Sequence, residues 1–164
     1  MRTIKFKAKA ANGEWAIGCL LQRQDGSVYI YDDNNDVPFS GLVCSEEETA
    51  LRIPVDPKTV CQFTGILDKN GKEIYEDDVL RSDIFPFSFI NEAKTCRDLR
   101  FGTIVWDEVG GKYFMLCHTN KKLSVDKYFE GVHLDINPLW CSNFEVVGNV
   151  HDLEWQEKLN LKYE

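Results

Sequence analysis

Four short pairs of residues constrain this chain more than any other feature in it. Asn12-Gly13, Asp25-Gly26, Asn70-Gly71 and Gly110-Gly111 are dipeptides that accept the positive φ angles of a tight hairpin turn at little steric cost. Runs rich in β-branched and aromatic residues flank them, as antiparallel hairpins require. Trp15 to Leu21 and Ser27 to Tyr31 bracket Asp25-Gly26, and Phe101 to Trp106 and Lys112 to Cys117 bracket Gly110-Gly111. Glu145 to Val150 reads as a late strand that closes on a turn at His151-Asp152. The expected fold class is therefore mostly β.

Helical signals are few. Ser45-Glu46-Glu47-Glu48 reads as the cap and opening of a short helix that Pro54 stops. Leu153 to Leu161 reads as a short C-terminal helix, loosely periodic. Residues 121–138 stay ambiguous, with Val125, Tyr128, Phe129 and Val132 at helix-like intervals. Asp32-Asp33-Asn34-Asn35-Asp36 reads as an exposed loop. In Phe85-Pro86-Phe87-Ser88-Phe89 the proline argues against a central strand, so the three rings either pack beneath a loop or present an apolar face to a partner. Two prolines make Arg52 to Pro57 an extended connector. The expected organisation is an N-terminal β-hairpin extension over 1–53, a small barrel or curled sheet over 54–152, and a short helix or tail over 153–164.

Composition narrows the function classes. Hydrophobic residues make up 43% of the 164 positions, enough core material to exclude disorder. The formal net charge of −8, from 27 acidic and 19 basic residues, disfavours nucleic-acid binding through a broad basic patch. Six cysteines, Cys19, Cys44, Cys61, Cys96, Cys117 and Cys141, include no C-x-x-C pair, which argues against a zinc ribbon or a redox dithiol. The chain opens Met1-Arg2-Thr3-Ile4-Lys5-Phe6 directly into a strand pattern, and no apolar run approaches the ~18 residues of a membrane span. The expected compartment is the cytoplasm, where thiols stay reduced, so most of these cysteines read as small buried hydrophobes.

The most distinctive stretch is Val55 to Leu80. It contains Thr64-Gly65, then Asp68-Lys69-Asn70-Gly71, then Ile74-Tyr75-Glu76-Asp77-Asp78. Three further pieces keep the same order: Ile4-Lys5-Phe6-Lys7-Ala8, Gly102-Thr103-Ile104-Val105-Trp106, and Glu145-Val146-Val147-Gly148-Asn149-Val150. Together they resemble the YopX family, proteins found mainly in bacteriophages and prophages. The resemblance implies an SH3-like small barrel for the later half, with an N-terminal β-hairpin extension and one or two short helices. It implies no reaction and no cofactor. One departure stands out: the family carries glycine before the aspartate of its Gly-Asp step, and this chain carries Asp77. If that position needs a positive φ, aspartate is among the better substitutes. The motif residues Thr64, Gly65, Asp68, Asn70, Gly71, Tyr75, Asp78, Gly148 and Asn149 are expected to be architectural, with Asp68 accepting turn N–H groups and the Tyr75 hydroxyl left wet.

Sharper chemistry finds less support in the residues. Counted from Asp68, an EF-hand loop fails, because Lys72, Glu73 and Val79 fall at the fifth, sixth and twelfth positions. An irregular divalent site at Glu76, Asp77 and Asp78 is weaker than a solvated acidic turn, so no metal is assigned. Cys117 and His118 adjoin, but neighbours on a strand point to opposite faces. His133 and His151 lack any nucleophile motif in sequence, so no catalytic residue is assigned. The function expected is a non-catalytic phage accessory module acting through a protein partner or self-association. The alternatives are a nucleic-acid-associated small barrel and a metal-dependent or Cys/His hydrolase.

Overall fold

The computed structural model describes residues 3–31, 52–81, 101–118, 133–135, 141 and 143–159, with the backbone alone at 117, 118, 133–135 and 159. The chain divides into two compact units, Met1–Phe63 and Thr64–Glu164. The expected features at Asp32–Asp36, Ser45–Glu48 and Phe85–Phe89 lie outside the described residues.

In the first unit, β1 (Phe6–Lys9), β2 (Trp15–Gln22), β3 (Val28–Tyr31) and β4 (Arg52–Pro54) form an antiparallel meander, and β1 also pairs with the start of β5 (Cys61–Leu67). The Asn12-Gly13 turn joins β1 to β2, and Asp25-Gly26 joins β2 to β3. Residues opposite one another on antiparallel strands share a face. Ala8 faces Ala16, and Leu20, Ile30 and Ile53 align across β2, β3 and β4. With Val28 and Val55 they make the core of this unit. Between β4 and β5, Pro57–Thr59 forms one 3₁₀ turn. The Asp56 carboxylate accepts the Lys58 N–H at 2.9 Å, and Thr59 Oγ1 accepts the Lys9 N–H at 2.8 Å.

In the second unit, the later residues of β5 pair with β6 (Glu73–Tyr75) across the Asn70-Gly71 turn. A second antiparallel sheet has the order β10 (His133–Asp135), β9 (Lys112–His118), β8 (Phe101–Asp107), β7 (Asp78–Arg81), β11 (Glu145–Asn149). Gly110-Gly111 turns β8 into β9. Each of the four signal pairs therefore closes a hairpin, and the glycine in second place of each has a positive φ. The protein is mostly β, with two antiparallel sheets and one α-helix among the described residues.

β7 carries apolar side chains on both faces, and both are covered. Leu80 joins Ile74, Ile104, Tyr113, Met115, Cys141 and Phe144 in the larger core, while Val79 packs with Val150 and Trp155. Trp155 comes from α1 (Leu153–Leu159) and meets Phe101 edge-on at 5.4 Å. It is the one buried residue among the helix's described side chains, and Leu153 is 76% exposed. Among the described cysteines, Cys61 and Cys141 are buried and Cys19 is exposed.

Candidate functional site

The turn Asp68–Lys72 is built by one carboxylate. Asp68 Oδ1 accepts the N–H groups of Asn70 at 2.7 Å and Lys72 at 2.9 Å, which folds the turn, and Gly71 completes it with φ +79. Its other oxygen accepts the Val146 N–H at 2.9 Å, which ties the turn to β11. Burial opposes the charged form, but the N–H donors of Val146, Lys72 and Asn70, with the Lys72 charge, outweigh it and hold the Asp68 carboxyl below its ordinary value. Lys69 adds to the tie. Its N–H reaches Phe144 O at 2.8 Å, and its ammonium meets Glu145, which also pairs with Arg81.

A second knot surrounds the turn between β6 and β7. Asp78 is fully buried and Asn149 is 1% exposed. Asp78 Oδ2 accepts the Tyr75 N–H across the turn at 2.9 Å, and Oδ1 accepts Asn149 Nδ2 at 3.1 Å. Asn149 Nδ2 also donates to Glu76 O at 3.3 Å, while Oδ1 accepts the His151 N–H at 3.0 Å. Every hydrogen-bonding group of that amide is engaged. Asp152 continues the chain of contacts, because Oδ2 accepts the Asn149 N–H and its carbonyl accepts the N–H groups of Trp155 and Gln156, opening α1.

Asp77 sits at φ +60, the one non-glycine residue with positive φ among the described residues. This is the position at which the sequence resemblance leads one to expect glycine. The conformation is held from three sides. The Asp77 N–H donates to Ile104 O at 2.9 Å, its carbonyl accepts the Val150 N–H at 2.9 Å, and its carboxylate meets His151 Nε2 at 3.1 Å. Sequence reasoning found the glycine-like position but not the histidine, which lies 74 residues away.

The remaining motif residues are placed as follows. Thr64 Oγ1 donates to Ile74 O at 2.8 Å and accepts the Ile66 N–H, at the bend where Gly65 has φ +86. Gly148 follows a register shift in β11, and a Cβ built there would overlap the Trp155 indole. Tyr75 departs from expectation. Its ring is buried, and the hydroxyl that was expected to stay wet donates to Glu73 Oε2 at 2.6 Å. Burial, reinforced by Glu73 and by the Asp78 charge, pushes the phenol well above its ordinary value. Phe85, Phe87 and Phe89, and the side chains of Cys117, His118 and His133, lie outside the described residues.

The motif thus gathers carboxylates, but it uses them on backbone N–H groups and turn residues. The Thr-Gly, Asp-Lys-Asn-Gly and Asp-Asp steps are legible in sequence, whereas Asp152 was read as a turn residue and not as the cap of α1, and Trp155 only as part of a loosely periodic helix. An aspartate directly before the apolar run of Leu153 was a cap signal. The family model described as YopX protein matches residues 4–153. A solved structure, protein EF1440 from Enterococcus faecalis, is 20% identical over 97% of this chain and 99% of that one, with a TM-score of 0.45. No curated protein matches.

Proposed function

We propose that this chain, which belongs to the YopX family, is a non-catalytic binding module, a phage or prophage accessory protein that works in the cytoplasm through a protein partner or self-association. The observation that supports this reading is the use of the motif's polar groups. Asp68, Asp78 and Asn149 direct their side chains to the turns and strand ends of the second unit, where they secure a scaffold. We read that scaffold as an SH3-like small barrel. The five-stranded antiparallel sheet, with its register shift in β11, is consistent with such curling.

The apolar groups left in water support a contact role. At the tip of the β8–β9 hairpin Val109 is 99% exposed, and Trp106, stacked edge-on against Tyr113, is 41% exposed. Sedimentation and native mass measurement of the full chain test the reading, with Val109→Asp beside the wild type. The wild type is expected to associate with itself or to retain a stoichiometric host or phage protein, and the variant is expected to lose that association. A wild type that stays monomeric at tens of micromolar and retains nothing absent from the variant refutes the proposal.

A further inference from the structure

We propose that Asn70 is a modification site, where the side-chain amide is lost spontaneously to give aspartate and isoaspartate, while the matching residue Asn12 is protected. The sequence holds two Asn-Gly pairs, Asn12-Gly13 and Asn70-Gly71. Glycine after asparagine favours this chemistry, because no Cβ shields its backbone nitrogen from the preceding amide carbon. Asparagine is one of the residues that proteins working at high temperature avoid.

The fold makes the two pairs a matched comparison. Asn12, Gly13, Asn70 and Gly71 are all exposed. Gly13 has φ +83 and Gly71 φ +79, and a Cβ built on either would meet nothing within 4 Å. In each turn the glycine N–H closes the loop, Gly13 donating to Ala10 O at 2.8 Å and Gly71 to Asp68 O at 3.0 Å. The backbone therefore does not separate the two sites.

The side chains do. Glu14 grips both ends of the Asn12 amide. Asn12 Nδ2 donates to Glu14 Oε2 at 2.7 Å, and Oδ1 accepts the Glu14 N–H at 3.1 Å. Two residues after Asn70 the chain carries Lys72, whose ammonium has no acceptor to offer an amide. The Lys72 N–H, which Asn70 Oδ1 would need, is donated to Asp68 Oδ1. Among the described residues the Asn70 side chain makes no hydrogen bond, so its Cγ is free to turn towards the Gly71 nitrogen. Charge acts in the same sense. A carboxylate beside the glycine opposes removal of its N–H proton, and an ammonium assists it. Asp68 also stands on the second turn, but both its oxygens are occupied by N–H groups. The one Asp-Gly pair, Asp25-Gly26, is protected differently. The Ser27 hydroxyl and N–H donate to Asp25 Oδ1 and hold that carboxyl below its ordinary value, in the ionised form that lacks a leaving group.

The step balances with water alone. Base removes the Gly71 N–H proton, and the nitrogen bonds to Asn70 Cγ. The Cγ–Nδ2 bond breaks, and ammonia leaves with the proton as a five-membered imide closes. Water then opens the ring. Attack at Cγ gives aspartate, and attack at the former backbone carbonyl gives isoaspartate, with the chain running through Cβ. Isoaspartate adds a carbon to the backbone between the two N–H groups that Asp68 Oδ1 holds, which loosens the turn that Asp68 ties to β11.

The test incubates the full chain in mildly alkaline buffer and follows both pairs by chymotryptic peptide mapping. Exchange of NH₂ for OH adds about one dalton, and isoaspartate elutes apart from aspartate. Asn70 is expected to convert at least about three-fold faster than Asn12, the effect of one modest hydrogen bond. In urea-unfolded chain that ratio should fall towards one. Exchanging the partners should exchange the behaviour: Glu14→Lys should speed Asn12 and Lys72→Glu slow Asn70, each at least about two-fold, with thermal melts confirming that both variants fold. The isoaspartate form, isolated by anion exchange, should unfold at a lower urea concentration than the original. Equal rates at the two pairs in the folded chain, an inert Asn70 while the unfolded chain reacts, or rates unmoved by either substitution overturn the proposal. An isoaspartate form that unfolds at the same urea concentration overturns the loosening of the turn.

Discussion

Asn149→Asp changes one NH₂ to an oxygen with almost no change in shape, at a side chain that is 1% exposed. In the wild type Nδ2 donates to the Asp78 carboxylate and to Glu76 O. The substitution removes both donors and sets oxygen against oxygen at each contact. A lost bond to a charged partner costs about 1.5–3 kcal/mol and one to a neutral carbonyl about 1 kcal/mol. With a second buried negative charge beside Asp78, the expected loss at pH 7 is about 3–5 kcal/mol, a large share of a typical 5–15 kcal/mol stability. The penalty should depend on pH with a definite sign. Burial and the neighbouring carboxylate raise the folded-state pKa of the new carboxyl above its unfolded value near 3.9. The penalty is therefore largest above that raised pKa and shrinks as pH falls, because the protonated carboxyl can donate to Asp78 again. Near pH 4 the gap to wild type should be about 2 kcal/mol or less. Urea unfolding followed by tryptophan fluorescence measures this, read as a shift in midpoint at constant slope. A gap under about 1 kcal/mol at pH 7, or one that stays flat from pH 7 to 4, would refute the claim that this amide bridges the β6–β7 turn and β11.

Three further outcomes follow from the same geometry. Gly148→Ala should cost about 1–3 kcal/mol by forcing a methyl into the Trp155 indole, and Trp155→Ala about 3–5 kcal/mol. The double variant should cost less than the sum, and strict additivity in a thermodynamic cycle refutes the contact. At the positive φ of Asp77, Asp77→Gly should stay within about 1 kcal/mol of wild type, relief of strain offsetting the lost His151 contact, while Asp77→Val should cost about 2 kcal/mol or more; thermal melts that rank them in reverse order refute this. Asp68 has a lowered folded-state pKa, so its contribution is present above the unfolded value near 3.9 and is lost as pH falls through the folded one. Asp68→Asn should therefore be destabilised at pH 7 and converge on wild type in acid, and a gap that widens in acid denaturation curves contradicts the assigned bonds.

Much of the fold was legible because hairpin chemistry is local. A glycine that must adopt positive φ announces its turn whatever packs around it, and the four turn pairs, the strands beside them and Asp68's role in its own loop were read that way. The Asp77 position was legible for the same reason, as a non-glycine residue standing where a glycine conformation is needed. The buried Tyr75 hydroxyl, the Asp77–His151 contact and the Trp155–Gly148 overlap were not. The last two depend on β11 and α1 coming together with the β6–β7 turn, whereas the Tyr75 hydroxyl meets Glu73 only two residues away and was misread because burial of that ring is a tertiary outcome. A net charge of −8 averages over the chain, whereas the strand register sorts lysine and aromatic residues of β1, β2 and β3 onto one face.

The amino-acid order by itself determined where the backbone reverses and which residues alternate between faces, since φ preference and the two-residue strand period act within a few positions. Only the folded chain decided which carboxylates became structural and which cations came to share a face with aromatic rings. Those outcomes depend on burial and on partners up to 78 residues apart, as between Asp68 and Val146, and burial is a property of the assembled sheets.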